Sequence, residues 1–281
     1  MLKATVATQS IVLTGCDTMR HADKFARFPF QGEGDGLQMS VWLHKEPPIL
    51  DGVKLGEHGH THWCALEDGR TALMHDKHHF ALTFDEDFSN VSLLLSEQAP
   101  KRDVLKYLYV SQSFAYRMIA AGGCVLHAAG LRRGERGVAL CGASGVGKST
   151  LARHLQEVDK DIRLLCEDAP PIREQHGTLT VYGSPFCGDD EGCERGEAPL
   201  SGAILLRQGT QNRLSTLKAG ETLYHWLSVI PRPVYHRALC EKATEYAIHL
   251  SQTVPMLCFE NDGTVEAAAF LKQELERLQW L

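Results

Sequence analysis

Gly142-Ala143-Ser144-Gly145-Val146-Gly147-Lys148-Ser149-Thr150 is the stretch of this chain that decides its fold. It matches the pattern G-x-x-x-x-G-K-S/T at every fixed position. The glycines allow the backbone to turn tightly and to aim its N–H groups at phosphate oxygens. In this pattern Lys148 reaches the β- and γ-phosphates, and the Ser149 hydroxyl binds Mg²⁺. We therefore predict that residues 142–150 bind a nucleoside triphosphate.

The sequence on both sides of this loop agrees with that interpretation. Residues 137–141 are a short apolar run, which is typical of a buried strand. Residues 149–156 carry apolar side chains at helical spacing, so the loop is expected to open a helix. The N-terminus of a helix favours anions, which places the phosphates at the start of this helix.

Composition indicates a soluble globular protein. The 281 residues are enough for two modest domains, and 43% hydrophobic with 23% charged residues is ordinary. The formal net charge of −6 argues against nonspecific binding to nucleic acid or anionic membranes. The sequence shows no secretory signal and no stretch of about 18 apolar residues. We expect a cytoplasmic protein with neither nucleic acid nor membrane as a partner.

The nine cysteines follow no metal-binding or disulfide pattern. Their number is odd, no Cys-x-x-Cys occurs, and Cys141 and Cys166 sit inside apolar runs. We expect small buried thiols in a reducing compartment, with neither disulfides nor a zinc site. Cys187 and Cys193 are close in sequence, but no further ligands lie near them.

The pattern of the chain changes near residue 100. Residues 1–100 consist of short apolar segments separated by turn-forming clusters, and Glu67-Asp68-Gly69-Arg70 predicts a hairpin. Residues 103–120 show helical periodicity, and strand and helix patterns alternate afterwards up to a terminal helix within 264–281. We predict a β-rich domain over 1–100, with substrate recognition as its expected role, and an α/β domain over 101–281 that binds the nucleoside triphosphate.

A second chemical feature follows the loop. Leu164-Leu165-Cys166 is an apolar strand that ends in the carboxylates Glu167 and Asp168. One carboxylate at such a position holds Mg²⁺, directly or through water, and the other serves as a general base. The alternative is a solvated turn before Pro170.

His127 is a third candidate, because it ends the apolar run that begins at Cys124. A polar side chain at this position is able to face the phosphate site. By itself a lone histidine is more often structural than functional.

The succession His127-Ala128-Ala129, Gly142 to Ser149 and Glu167-Asp168 resembles the catalytic domain of the HPr kinase/phosphorylase family. That domain is itself similar in core fold to phosphoenolpyruvate carboxykinase. The resemblance implies an α/β phosphate-loop domain preceded by a small β-rich region. It also implies ATP-dependent, Mg²⁺-assisted phosphorylation of a hydroxyl group, usually that of a serine.

Residue roles carry over with the resemblance. The loop residues, which include Lys148, would bind the phosphates of ATP, and His127 would lie beside those phosphates. Ser149 and Asp168 would bind Mg²⁺, while Glu167 and Asp168 match the family's paired aspartates, which act as base and metal-linked acid. The loop residues are Gly142, Ala143, Ser144, Gly145, Val146, Gly147, Lys148, Ser149 and Thr150.

The sequence departs from the family in two respects. The carboxylate pair is Glu-Asp and not Asp-Asp, so the base would sit on a longer arm, and in-line transfer is sensitive to such shifts. The C-terminal signature that serves phosphorolysis and docking of HPr is missing. We therefore predict a related kinase and not an HPr kinase itself. Members of the family are hexameric, but without this signature self-association of this chain stays open.

Our leading hypothesis is a kinase for a serine-type hydroxyl on a peptide or small protein. One alternative keeps the chemistry and takes a small metabolite as acceptor: an amino acid, a sugar or a nucleoside. The other is a nucleotide-binding regulatory module without phosphoryl transfer.

Three further features of the sequence give weaker signals. His58, His60 and His62 alternate at strand period, which would place them on one face of a strand. His75, His78 and His79 lie nearby in sequence, and a polar strand face is favoured over a zinc site. Asp189-Asp190-Glu191 indicates an acidic loop. A solvated turn is the favoured interpretation of this loop, and a docking site for a basic acceptor is the alternative. Arg195 and Arg213 are candidates for stabilising charge during transfer, with surface roles as the default.

Overall fold

The computed structural model describes residues 1–281 except 33, 47, 76, 78 and 188–192. The described residues form a mixed α/β protein with two sheets. They divide into two compact units, Met1–Ala121 with Pro233–Cys240, and Gly122–Arg232 with Glu241–Leu281. This division differs from the boundary predicted after residue 100, because helix Arg102–Ala120 belongs to the first unit.

The first unit contains one sheet, a short 3₁₀ helix (Ala22–Arg27) and helix α1 (Arg102–Ala120). The strand order in the sheet is β1-β2-β3-β8-β7-β6-β5-β4. Strand β3 runs parallel to β2 and β8, and the other pairs are antiparallel. The strands are β1 (Leu2–Val6), β2 (Gln9–Thr14), β3 (Gly36–His44), β4 (Val53–His58), β5 (Thr61–Ala65), β6 (Thr71–His75), β7 (Phe80–Phe84) and β8 (Asn90–Ser96).

Two local predictions are confirmed in this unit. The hairpin between β5 and β6 is closed by a hydrogen bond of 2.9 Å from the Leu66 N–H to the Arg70 carbonyl. The predicted helix over 103–120 is α1, and it buries Val110, Phe114 and Met118, which lie one turn apart on one face. Burial of this apolar stripe explains why α1 belongs to the first unit.

The second unit contains a sheet with the strand order β12-β10-β11-β15-β14-β13-β9. Strand β17 lies beside β15, and β16 lies beside β17. The strands are β9 (Gly123–Val125), β10 (Ala128–Arg133), β11 (Arg136–Cys141), β12 (Ile162–Cys166), β13 (Pro171–Gln175), β14 (Thr178–Tyr182), β15 (Glu197–Gln208), β16 (Arg213–Thr216) and β17 (Met256–Asn261). The helices are α2 (Lys148–Val158), α3 (Ala219–Val229), α4 (Arg237–Thr253), whose first residues belong to the first unit, and α5 (Val265–Arg277).

The centre of this sheet is parallel. Strand β15 runs parallel to both β11 and β17, and buried side chains of these strands form a core with α2 and α5 that includes Leu140, Ile204 and Leu271. The carboxyl ends of the three strands therefore share one edge of the sheet. The loop at 142–147 leaves β11 at this edge, where ligands bind in open α/β sheets.

The structure corrects the expectation that His58, His60 and His62 share one strand face. A turn at Gly59-His60 separates β4 from β5, and Glu57 pairs with His62 across the hairpin. Within the described part of the chain, no group of three or more His, Cys, Asp or Glu side chains is arranged to hold a metal ion. His78 lies outside the described residues.

The expectation that no disulfide forms is wrong. Cys187 and Cys193 are disulfide-bonded, with their Cα atoms 6.0 Å apart. A tertiary contact explains the difference. Cys193 forms a β-bridge with Cys166, at the end of β12, and such a contact is not visible in the spacing of the cysteines. Over the residues that are described, no helix is long and apolar enough to cross a membrane.

Candidate active site

The loop after β11 has the backbone geometry of an anion cradle. Gly145 and Gly147 adopt φ angles of +77° and +104°, a region that side-chain-bearing residues rarely enter. Gly147 is the N-cap of α2, and its carbonyl accepts the first helical bond from the Leu151 N–H at 2.9 Å. The N–H groups of the first turn of α2 have no partner within the helix, so they are available to an anion.

Lys148 lies inside this loop and is 8% exposed. Its Nζ donates to the carbonyls of Gly142 at 2.9 Å and Ala143 at 3.2 Å. Burial lowers the pKa of Lys148, and attraction to Asp168 opposes part of that shift. The lysine is thus a cation held at the loop by backbone carbonyls and available to pair with phosphate.

His127 and Asp168 are hydrogen-bonded beside the loop. His127 follows β9 and Asp168 follows β12, and the distance from His127 Nδ1 to Asp168 Oδ1 is 3.0 Å. The pKa of Asp168 is lowered mainly by this hydrogen bond, with further attraction from His127 and Lys148, against the opposing effect of burial. Both side chains remain about half exposed, at 45% for His127 and 54% for Asp168.

Backbone contacts hold these two residues in place. The N–H of Ala128 donates to the Asp168 carbonyl at 3.3 Å, which ties the start of β10 to the end of β12. The His127 N–H donates to the Val229 carbonyl at 2.7 Å, at the end of α3. Sequence reasoning missed Val229, and no local signal could have found it, because a backbone carbonyl leaves no residue-type pattern.

His127 also links the carboxylate to the lysine. Its Nε2 lies 3.4 Å from Lys148 Nζ. With the imidazole proton on Nδ1 toward Asp168, the Nε2 lone pair faces the ammonium group. Asp168, His127 and Lys148 therefore form one connected polar chain at the mouth of the loop.

Glu167 differs from Asp168 in having an oxygen that is both buried and without a partner. Its Oε2 is buried and has no hydrogen-bond partner among the residues described. A buried carboxylate oxygen without a partner is costly unless a ligand supplies one. Of the two adjacent carboxylates, Asp168 is hydrogen-bonded to His127 through Oδ1, and Glu167 keeps a buried oxygen without a partner among the described residues.

These side chains surround one cavity of about 360 Å³. Val146 instead packs against the core, and Gly142 and Ala143 contribute their carbonyls to Lys148. The cavity is lined by His127, Ser144, Gly145, Gly147, Lys148, Ser149, Thr150, Glu167 and Asp168.

The weaker candidates lie elsewhere. Arg213, on β16, forms an ion pair with Glu260 at 3.5 Å, and Arg195 is exposed; neither lines the cavity. The acidic stretch 189–191 lies outside the described residues.

The donor set of the cavity suits Mg²⁺ bound together with a phosphate ligand. Mg²⁺ prefers oxygen ligands and usually takes only one or two carboxylates, with waters and substrate phosphates completing its shell. The Ser149 hydroxyl and the Asp168 carboxylate line the same cavity, and the contact with His127 uses only Oδ1 of Asp168.

Comparison with known proteins adds a distant similarity. No protein-family model and no curated protein matches the sequence. Among solved structures, the chain is similar to the Hpr(Ser) kinase/phosphatase from Coxiella burnetii, with 13% sequence identity and a TM-score of 0.33. The match covers 55% of this chain and 98% of that chain. At this level of similarity, any proposal about function has to rest on the site itself.

Proposed function

We propose that this protein is an HPr kinase-like enzyme with a phosphate-loop fold, which transfers the γ-phosphoryl group of ATP to a serine-type hydroxyl of a peptide or small protein with the help of Mg²⁺. The observation that carries the proposal is the meeting of Lys148, His127, Glu167 and Asp168 in one cavity at the glycine loop. A nucleotide-binding module without transfer would need the lysine and the loop, but not two carboxylates beside them.

The loop and Lys148 would hold the phosphates of ATP. Lys148 would exchange its present carbonyl partners for β- and γ-phosphate oxygens, and the N–H groups at the start of α2 would donate to the same groups. Bound Mg²⁺ would neutralise charge on the β- and γ-phosphates, and Ser149 and Asp168 are the residues expected to hold it.

Glu167 is the expected general base. Its free Oε2 would accept the proton of the acceptor hydroxyl as the acceptor oxygen bonds to the γ-phosphorus and the bond to the β,γ-bridging oxygen breaks. Products are ADP, the phosphorylated acceptor and a proton on Glu167. His127 would keep Asp168 oriented and would place its own Nε2 near the phosphates.

Exposure at the site supports a peptide or protein acceptor. The His127 and Asp168 side chains are each about half exposed, so a side chain that projects from a larger molecule can reach them. A metabolite kinase is expected to enclose its substrate more completely, because small-molecule sites bury most of the ligand.

The test follows γ-³²P from ATP with Mg²⁺ into a lysate fraction and into a serine-containing peptide library. We expect label in discrete peptide or protein species that is lost in Lys148→Met and falls by two orders of magnitude or more in Glu167→Gln. Glu157→Gln, an exposed change on α2 outside the cavity, is the matched control and should keep the parental rate.

Each other outcome overturns part of the proposal. Label that enters only small molecules would assign a metabolite kinase. ATP binding without transfer to any acceptor would assign a regulatory module. Parental transfer by a Glu167→Gln/Asp168→Asn double variant would refute the proposed mechanism.

A further inference from the structure

The turn that carries Glu167 and Asp168 is attached to a segment outside the cavity. Cys166 is the last residue of β12, and its buried thiol lies directly before the two carboxylates in the chain. The Ala169 N–H donates to this sulfur at 3.4 Å, and the sulfur donates to the Phe186 carbonyl at 3.5 Å. Burial raises the pKa of the Cys166 thiol to about 12, so the sulfur keeps the proton that it donates. The thiol therefore links both ends of the turn to Phe186.

Phe186 is itself fixed by the chain around it. It is 1% exposed, and its N–H donates to the hydroxyl of the fully buried Ser184 at 3.1 Å. The next residue, Cys187, is also fully buried and is disulfide-bonded to Cys193. The carbonyl that Cys166 contacts is therefore next in the chain to a covalent cross-link.

The other half of the disulfide is attached to the same strand. Cys193 forms a β-bridge with Cys166, and the Glu194 N–H donates to the Leu165 carbonyl at 3.1 Å. The Glu194 carboxylate also pairs with Arg132 on β10 at 3.0 Å. The disulfide therefore joins two segments that each contact the end of β12.

We propose that the Cys187–Cys193 disulfide and the Cys166 thiol are positioning groups for the carboxylates of Glu167 and Asp168. The three cysteines are not among the described residues that line the cavity, so they act through the turn and not on the reacting atoms. Phosphoryl transfer needs its base and metal ligand in a fixed geometry, and a misplacement of about 1 Å is enough to slow such a reaction strongly. The effect on transfer rests on the proposed kinase function, whereas the restriction of the turn rests on these contacts alone.

Hydrogen exchange followed by mass spectrometry measures the restriction of the turn. The full chain is purified without reductant, and an unreduced digest first verifies the link between Cys187 and Cys193. We expect exchange at residues 165–169 to become at least tenfold faster in Cys187→Ser/Cys193→Ser, because the segments that contact the end of β12 are no longer cross-linked. Exchange in strands β1 to β8 should stay at the parental rate.

Transfer of γ-³²P from ATP is measured on the same proteins. We expect kcat to fall at least tenfold in the double variant, while the dissociation constant of ATP changes less than twofold, since the glycine loop and Lys148 are untouched. A role in global stability alone would not separate these two quantities. Cys166→Ala should have both effects with the disulfide intact. Cys166→Ser keeps a donor and an acceptor and should lie closer to the parent.

The control is Cys240→Ser, which replaces a thiol of the first unit that takes no part in the disulfide and should keep the parental exchange and transfer. Thermal unfolding checks that each variant is folded. Parental exchange at residues 165–169 in Cys187→Ser/Cys193→Ser would overturn the proposal, and so would an unreduced digest without the link. Faster exchange in the double variant, together with a parent that transfers phosphate to no acceptor, would refute the kinase function and leave the positioning of the turn established.

Discussion

At the scale of single residues, the site depends on the charges of two neighbouring groups, Asp168 and Lys148. Asp168 has a pKa held below its ordinary value of 3.8, so it is ionised throughout the neutral range. Lys148 has a pKa lowered from 10.5 by burial, and the negative charge of Asp168 opposes this shift. The protonation of the lysine therefore depends on its neighbour, even though His127 lies between them.

This dependence predicts a shift in the pH profile of ATP binding. Binding requires protonated Lys148, so affinity should fall as the pH rises through the lysine pKa. Asp168→Asn removes the opposing charge and lowers that pKa further, so the fall should begin at a lower pH in the variant. Fluorescence titration with a nucleotide analogue, without Mg²⁺, over pH 6–10.5 measures both profiles. The control is Glu157→Gln, which makes the same charge change on the exposed side of α2 and should keep the parental pH profile. Coincident profiles for Asp168→Asn and the parent would contradict the coupling.

At the scale of secondary structure, the site depends on the parallel strands β11, β15 and β17. A close contact between β15 and the segment after α5 fixes part of this layer, because a Cβ added at Gly202 would lie 2.4 Å from ring atoms of Trp280. Trp280 is 8% exposed and belongs to the core shared by α2, α5 and the sheet. Glycine is thus required at position 202 by the neighbouring ring.

We expect Gly202→Ala to lower the free energy of unfolding by about 1–3 kcal/mol through overpacking. The same change in a Trp280→Leu background should cost less, because the smaller side chain leaves room for the methyl group. Denaturant unfolding of the parent, the two single variants and the double variant gives the coupling energy between positions 202 and 280 directly. Gly220→Ala is the control, since a Cβ there meets no atom within 4 Å, and it should be neutral or slightly stabilising. Equal costs in both backgrounds would show that Trp280 is not the cause.

At the scale of the whole molecule, the candidate site belongs to one compact unit. Every residue that lines the 360 Å³ cavity lies within Gly122–Arg232. The first unit contributes a separate sheet with its own buried core, including Phe84, Phe88 and Phe114. Nucleotide binding should therefore stabilise the second unit directly.

Hydrogen exchange followed by mass spectrometry tests this distribution. At ATP concentrations about 100-fold above the dissociation constant, binding contributes about 2.7 kcal/mol of stabilisation. We expect slower exchange in the loop, α2 and the end of β12, and unchanged exchange in strands β1 to β8. The Lys148→Met protein with ATP is the control and should show no protection. Protection that extends over the first sheet would contradict the confinement of the site to the second unit.

The elements next to the site were predictable because their signals are local. The glycine loop, its strand and helix α2 follow from residue types within about 20 positions of each other, and so does the periodicity of α1. The hairpin at 66–70 is likewise encoded by its turn residues. The alternation of His58, His60 and His62 was misleading, since a turn at Gly59 reverses the strand that periodicity alone would continue.

The sequence by itself determined the glycine loop between a strand and a helix, the acidic strand end and the mixed α/β character, because each depends on a short-range pattern of residues. Only the tertiary structure decided that His127 contacts Asp168 and Lys148, that Glu167 keeps a free oxygen, and that Cys187 and Cys193 form a disulfide. It also decided that α1 joins the first unit. These features depend on strand order and on burial between distant segments, and such contacts leave no trace in local residue spacing.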